Sequence, residues 1–291
     1  MPNNRENRPA PLAGGYTSTV KKRSLAALLK RLREEAGLKF NEASRDARVS
    51  PTTLRGLETG RWVQPMSDHV RSALDLYGVA EDIKDQILQI TYEAREPGWW
   101  RSKRYRGVFS NELPGFEAGA SLIQTFETVL VPGLLQAAGY IEAVTWTSGI
   151  TDDQDIERHV GARLQRQEIL TREVNPVTIH AVVDAAAITR IPDRIRDEQL
   201  RHLVRMTERP NVTVQVIPEG LGLYPGMGEA FTYLTFQGAE AGDLVFIESS
   251  IDDRYLERED ETQAYVNRFA RLSDAAFAPD ATRTYLQERI E

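Results

Sequence analysis

The sequence predicts an α+β protein in which an all-α domain of five helices is followed by an α+β domain with a small mixed sheet. Up to residue 93, apolar residues recur every three or four positions, the spacing of amphipathic helices. After residue 175, short runs rich in β-branched and aromatic residues lie between Pro, Gly and Asn, as strands do. The length of 291 residues also favours two domains over one.

The first three helices have recognisable ends. Helix one is predicted from Ser24, its expected N-cap, to just before Gly37, with an apolar stripe of Leu25, Leu28, Leu29 and Leu32. A short second helix is expected over residues 40–48. The third is predicted to be capped by Ser50, to begin at Pro51 and to stop at Gly60, because proline suits a first helical position and glycine a left-handed cap.

The spacing of apolar residues and the positions of proline and glycine divide the chain into an arm, two domains and a linker. Residues 1–20 lack periodic apolar positions and are predicted to be a flexible arm, and residues 67–77 and 80–93 complete the helical domain, 21–94. The stretch 95–112 contains Pro97, Gly98 and Gly107 and is predicted to be a linker. The α+β domain then occupies residues 113–291.

Elements of the α+β domain are predicted from the period of its apolar residues. Helices are expected at 118–126, 132–145, 152–171, 197–208, 260–275 and 282–289, and strands at 177–183, 212–217, 231–236 and 244–248. The helix at 197–208 is long enough to connect the first two strands as a parallel crossover. The last two strands are expected to form an antiparallel hairpin.

Charge is distributed unevenly along the chain. Residues 1–62 carry 13 Lys or Arg and 6 Asp or Glu, a net charge of +7, whereas residues 63–291 carry 23 and 37, a net charge of −14. A basic module attached to an acidic body suits binding of nucleic-acid phosphates by the first part. A basic tail beside a solvated acidic surface is the simpler alternative.

Composition excludes several classes of protein. The chain has no cysteine, so disulfides, thiolate nucleophiles and thiolate-bound zinc are impossible. No apolar run reaches the roughly 18 residues of a membrane helix, and the N-terminus lacks the order of a signal peptide. The protein is therefore expected in the cytoplasm and not in a membrane.

The spacing within residues 24–61 fits a helix-turn-helix, in which one helix braces a second that enters the DNA major groove. Small Ala43 permits close helix packing, and Glu58 is expected to brace the fold internally. Thr52 and Arg55 are the candidates for base contacts on the outer face, which also includes Pro51 and Gly56. Thr53 is a further candidate DNA-binding residue. Phosphate contacts are expected from Lys39, Asn41, Thr59 and Arg61. A helical docking domain is the alternative.

The helical domain contains the segments LREEAGL, VSPTTL, LETGR and, at residues 74–79, LDLYGV. In this combination it resembles the XRE-type, phage-repressor-like helix-turn-helix family. The resemblance implies a DNA-binding domain. Two positions depart from the family pattern, because Phe40 stands where glutamine is usual and Gly56 where a polar residue is frequent. In the family, the residues at these two positions usually hydrogen-bond to phosphate or base, so the departures concern those contacts.

The second half contains the segments REPGWW, TFETVLVPGLLQAAGY, RPNVTVQVIP and YPGMGEAFTYLTF, among others. Together they are similar to the uncharacterised domain that follows the helix-turn-helix in actinobacterial regulators of the WhiJ type. This resemblance implies a regulator of development or secondary metabolism that works with a small protein encoded nearby, an antitoxin-like arrangement. It implies no small-molecule ligand.

Four residues are candidates for contact with a partner or between the domains: Trp99, Trp100, Tyr224 and Met227. The two tryptophans precede several cations, so they either anchor the domains to each other or contact the DNA backbone. The glycines around Tyr224 and Met227 fit turn geometry better than phosphate binding.

The residues do not assemble into a recognisable enzyme. The four histidines are far apart and have no metal-ligand spacing, and no nucleophile or nucleotide motif occurs. We therefore expect no catalytic residues, no metal and no cofactor. The sequence favours a regulator that binds double-stranded DNA as a homodimer. The alternative is an antitoxin-like interaction module whose main partner is a small protein.

Overall fold

The computed structural model describes residues 16–62, 67–238, 240–249 and 251–290. These residues form two compact units. The first unit takes in residues up to 98 together with 237–242, and the second takes in 99–236 and the chain from 243 onward.

The described part of the first unit contains five α-helices, as predicted. They are α1 (Ser18–Glu35), α2 (Phe40–Asp46), α3 (Pro51–Thr59), α4 (Ser67–Leu76) and α5 (Glu81–Glu93). Two apolar clusters fill the interior of this unit. Leu25, Leu28 and Leu29 of α1 belong to the first cluster, and Ala43, Val49 and Leu54 belong to the second. The leucine spacing of three and four residues therefore marks the buried side of α1.

The start of α1 differs from the prediction. The helix begins at Ser18, and the N-cap is Thr17, whose hydroxyl accepts a hydrogen bond from the Val20 amide at 3.3 Å. Ser24 is a buried residue inside the helix, so its prediction as the N-cap is wrong. The predicted arm is also wrong for its last residues, 18–20, while residues 1–15 lie outside the described chain.

The second unit is built on a six-stranded mixed sheet. Its strands are β1 (Leu122–Glu127), β2 (Thr178–Asp184), β3 (Val212–Ile217), β4 (Phe231–Thr235), β5 (Leu244–Ile247) and β6 (Arg254–Leu256). The strand order is β3-β2-β1-β4-β5-β6, with parallel pairing from β1 to β3 and antiparallel pairing elsewhere. The predicted mixed sheet, the parallel crossover and the β4–β5 hairpin are confirmed.

Seven α-helices surround this sheet in the described residues. They are α6 (Leu113–Gly119), α7 (Ala138–Thr147), α8 (Asp153–Gln167), α9 (Ala185–Thr189), α10 (Asp193–Met206), α11 (Glu259–Ala275) and α12 (Pro279–Gln287). No described helix has the length and apolar character that crossing a membrane requires.

Two of the predicted helices were misplaced. The helix expected at 118–126 is wrong, because residues 122–127 form β1, which pairs with β2 on one side and β4 on the other. Ile123, Thr125 and Phe126 suit a central strand, and pairing with distant segments outweighed the local pattern. The helix expected at 132–145 begins only at Ala138, because Pro132 and Gly133 lead into a 3-10 turn, Gly133–Leu135.

The two faces of the sheet have different surroundings. Phe126, Phe231 and Ile247 point to one face, where they share an apolar core with Phe269 and Leu272 of α11. Neighbouring residues along each strand point to the opposite face. The residues just after Phe126 and Ile247 are both glutamates, which consequently lie on the face opposite α11.

Candidate nucleic-acid interface

The turn between α2 and α3 is defined by local sequence. Arg48 takes a left-handed backbone with φ of 56°, and Val49 is buried beneath the turn. The Ser50 hydroxyl accepts a hydrogen bond from the Thr53 amide at 3.1 Å, and Pro51 is the first helical residue. Gly60, with φ of 67°, ends the helix. The predicted bounds of α3 are therefore confirmed.

Buried contacts hold α3 against the rest of the unit. Leu54 and Leu57 are each 1% exposed and form its inner face. Glu58 accepts two hydrogen bonds from Arg33 of α1, from Nε to Oε1 at 2.7 Å and from Nη2 to Oε2 at 3.0 Å. Both side chains are less than a tenth exposed, so this ion pair braces α3 on α1, and the predicted role of Glu58 is confirmed.

The opposite side of α3 faces outward. Seven of the predicted DNA-binding residues are exposed: Lys39, Asn41, Pro51, Thr52, Arg55, Thr59 and Arg61. Thr53 is half-buried, and its hydroxyl lies 2.8 Å from that of Ser50, so it contributes to the helix cap. The Thr59 hydroxyl donates to the Arg55 carbonyl at 2.8 Å, within its own helix.

The structure brings together the start of α2 and the middle of α3. Lys39, Asn41 and Arg55 line one shallow depression with Phe40 and Glu42. The Arg55 guanidinium lies 5.0 Å from the centre of the Phe40 ring, a cation–π contact that restricts the long side chain. Sequence reasoning treated Phe40 only as a departure from the family pattern and missed this contact. An aromatic residue opening α2 beside the exposed face of α3 was the available signal.

Gly56 allows a close backbone approach. The Arg61 amide donates to the Gly56 carbonyl at 3.1 Å, so the chain folds back after α3. A Cβ atom on Gly56 would lie only 3.2 Å from the Arg61 carbonyl oxygen. The absence of a side chain at Gly56 therefore permits Arg61 to lie beside the end of α3.

The two tryptophans belong to the second unit and begin an aromatic cluster. Trp99 makes edge-on contacts with the rings of Trp100, Tyr105 and Phe109, at centroid distances of 6.0, 5.6 and 6.0 Å. Trp100 is only 4% exposed. The sequence predicted this stretch as a linker, whereas its aromatic side chains pack on one another, so large apolar area is buried there.

The other two candidate partner residues have different environments. Tyr224 is 7% exposed, and its hydroxyl donates to Asp184 Oδ2 at 2.6 Å, so its side chain is part of the core. Met227 is 51% exposed. Of this pair, Met227 is therefore the side chain that a partner could reach.

His180 makes contacts within the folded interior of the second unit. His180 Nε2 lies 2.6 Å from Gln215 Oε1, and the ring packs edge-on against Phe269. Burial lowers the pKa of His159, His180 and His202. In the part of the chain that is described, no three His, Asp or Glu side chains are grouped as metal ligands.

Comparison with known families assigns both parts of the chain. Residues 24–86 match a family described as a helix-turn-helix domain, and residues 111–288 match a family described as a domain of unknown function, DUF5753. Searches among curated proteins and among solved structures gave no match. The first match covers α2 and α3 with all eight predicted DNA-binding residues and confirms the helix-turn-helix prediction.

Proposed function

Because the chain belongs to the DUF5753 family and carries a helix-turn-helix domain, we propose that it is a transcriptional regulator that binds double-stranded DNA sequence-specifically. The observation that carries this proposal is the environment of α3. Leu54 and Leu57 are buried on its inner side, Glu58 is fixed by Arg33, and Thr52 and Arg55 remain exposed. A rigid helix with an exposed polar face is what major-groove recognition needs.

Arg55 is the residue to which we assign the main base contact. Its guanidinium can donate two parallel hydrogen bonds to the O6 and N7 atoms of guanine, the commonest specific contact in the major groove. The contact with Phe40 limits the positions that this guanidinium adopts before DNA arrives. Thr52, one turn earlier, is placed to contact a neighbouring base or its methyl group.

The flanking residues are assigned to the DNA backbone. Lys39, Asn41, Thr59 and Arg61 are exposed at the two ends of the α2–α3 pair, where phosphates pass a helix-turn-helix. The net charge of +7 over residues 1–62 favours approach to a polyanion. These contacts set the position of the protein and carry no sequence information themselves.

We further propose that the protein acts as a homodimer. One helix-turn-helix reads only a few base pairs, so two copies on half-sites one helical turn apart, about 10 base pairs, give adequate specificity. This proposal is tested by the molecular mass of the protein on and off DNA. A monomer bound to a single half-site would refute it.

The second unit is proposed to be regulatory and not enzymatic. The resemblance to XRE-type regulators of the WhiJ type supports a role in development or secondary metabolism with a small protein partner. An interaction module with secondary DNA binding is the second candidate, and the loop between β3 and β4 favours it. Leu223 and Met227 of this loop are 90% and 51% exposed. Co-purification from the native host, with Leu223→Ser and Met227→Ser as variants, tests this candidate.

The decisive experiment for DNA binding uses the full chain and a duplex from upstream of its own gene. Fluorescence anisotropy should show tighter binding to that duplex than to a scrambled one, and both affinities should fall steeply with salt as counterions are released. Equal affinity for the two duplexes would refute sequence specificity. Failure to bind either duplex at low salt would refute DNA binding.

A further inference from the structure

Two glutamates lie in one row across the sheet of the second unit. Glu127 is the last residue of β1 and Glu248 follows β5, and these two strands run parallel with β4 between them. The strand register, continued beyond the printed pairs, places both glutamates opposite Ala230. Residues that pair across strands share a face, so both carboxylates project over the small Ala230.

A cavity of about 300 Å³ lies over this row. Glu127, Ala230 and Glu248 form part of its floor, on the side of the sheet away from α11. Apolar side chains form part of its walls, among them Phe109, Val131, Leu134 and Phe246, and α8 contributes Arg163 and Arg166. The cavity therefore combines apolar and polar walls with carboxylates on its floor and guanidinium groups from α8.

Neither Glu127 nor Glu248 makes a side-chain hydrogen bond or an ion pair in the described residues. The charge of Arg166 acts on both carboxylates without direct contact. Burial, followed by the charge of Glu248, raises the pKa of Glu127 to about 8. Two neighbouring carboxylates in such surroundings are stabilised by a cation placed between them.

The two arginines of α8 that line the cavity differ in how many hydrogen bonds their guanidinium groups donate. Glu117 of α6 holds Arg166 through two hydrogen bonds, one of them from Nη2 to Oε1 at 2.7 Å. Arg163 has a single long contact, from Nη1 to Gln136 Oε1 at 3.4 Å, and burial lowers the pKa of its guanidinium. Arg163 therefore has donors left for an anionic group in the cavity.

We propose that this cavity binds a small zwitterion of the α-amino-acid type with an apolar side chain. The ammonium group lies between Glu127 and Glu248, the carboxylate pairs with Arg163, and the side chain contacts the apolar walls. At roughly 30 Å³ for each water-sized volume, the cavity of about 300 Å³ holds about ten water-sized groups, close to the size of leucine or phenylalanine. The proposal is independent of DNA binding, because every group that it uses belongs to the second unit.

Other ligand classes leave charged groups without partners. A simple amine would satisfy the glutamates but add a positive charge near Arg163. An anion would pair with Arg163 but face two carboxylates. Metal binding lacks support, because no group of three suitable side chains occurs among the described residues. The zwitterion brings its ammonium to the two glutamates and its carboxylate to Arg163, so each end of the ligand meets a group of opposite charge.

Isothermal titration calorimetry of the full chain, without DNA, tests the proposal with matched probes. L-leucine, L-phenylalanine and L-tryptophan supply both charges, phenethylamine supplies only the ammonium and 3-phenylpropionate only the carboxylate. At least one amino acid should bind, and the amine and the acid should each bind at least about thirtyfold more weakly than L-phenylalanine or not at all. Absence of binding by all three amino acids, or equal binding of amine or acid, would overturn the proposal.

Variants separate the two ends of the site. Glu127→Gln and Glu248→Gln should weaken binding of amino acid and amine but not of the acid, whereas Arg163→Gln should weaken binding of amino acid and acid but not of the amine. Glu142→Gln and Arg194→Gln change exposed residues outside the cavity and are the matched controls. Loss of affinity in the controls, or no change in the cavity variants, would show that the ligand binds elsewhere.

Discussion

The guanidinium of Arg55 lies 5.0 Å from the centre of the Phe40 ring, so a residue of α2 positions the proposed base-reading residue of α3. The two positions are 15 residues apart in the sequence. Such a contact stabilises a guanidinium by about 0.5–1 kcal/mol at an exposed site. Phe40 therefore acts on DNA recognition through Arg55.

Phe40→Leu should lower the preference for the operator over random DNA about two- to fivefold, because the Arg55 side chain regains conformations that DNA binding must then remove. Anisotropy with both duplexes measures the preference. Tyr92→Leu is the control, since Tyr92 is an exposed aromatic residue of α5 that also lies under an arginine. An unchanged preference in Phe40→Leu would show that Arg55 does not depend on this ring.

Arg55→Ala should cost on the order of 1–3 kcal/mol of operator binding and little on random DNA, because a bidentate base contact is lost. Arg61→Ala should weaken binding to both duplexes about equally and reduce the salt slope by about one, as expected of a phosphate contact. Binding isotherms at several salt concentrations distinguish the two. Identical losses for both variants on both duplexes would contradict these separate roles.

Glu58→Gln should destabilise the first unit by about 3–5 kcal/mol, because Arg33 would lose its only buried counter-charge among the described residues. Thermal melts followed by far-ultraviolet circular dichroism report the loss as a lower melting temperature of this helical unit. Glu34→Gln is the matched control, because Glu34 lies 3.4 Å from the same arginine but is 56% exposed. Similar melting of the two variants would refute the bracing role of Glu58.

The stability of the second unit should fall as pH rises from about 4.5 to about 8, and the contribution of Glu127 should change little above that. Burial raises the pKa of Glu127 from 4.5 to about 8, so the folded protein binds this proton more tightly than the unfolded chain does. The stabilising contribution of this bound proton is fully present below about pH 4.5. It is lost as pH rises to about 8, the pKa of Glu127 in the folded protein. The charged or titratable groups around this carboxylate are Glu117, Tyr140, Arg163, Arg166 and Glu248.

Glu127→Gln cannot lose this proton, so its melting temperature should exceed that of the wild type above pH 8 and change less between pH 6 and 9. Melting temperatures of wild type, Glu127→Gln and Glu142→Gln across that range measure the difference. Parallel curves for wild type and Glu127→Gln would mean that Glu127 titrates normally.

The helix-turn-helix was predictable because its signals are local. Ser50, Pro51 and Gly60 each act within one turn of α3, and the leucine spacing marks its buried side. The start of α1 was less predictable, since both Thr17 and Ser24 are acceptable N-caps and only packing of the preceding turn decides between them. The sequence predicted that Glu58 braces the fold internally, but it did not identify Arg33 as the partner of Glu58.

The second unit was predictable where strands are separated by clear turns, as for β4 and β5. Two strands were missed, β1 and the short β6. The local pattern of β1 also fits a helix, and its pairing partners lie more than 50 residues away. The row formed by Glu127, Ala230 and Glu248 could not be read from the sequence. It exists because β4 lies between two parallel strands, and only the register brings these residues together.

The central position of β1 also determines the order in which the chain can fold. The five helices of the first unit lie within residues 18–93, so they can pack on one another before any strand of the sheet has been made. By contrast, β1 remains without its neighbour β4 until residues 231–235 have been made. A nascent or truncated chain that ends earlier exposes one backbone edge of β1 to pairing with other molecules. Truncated forms of the second unit that end before β4 should therefore aggregate.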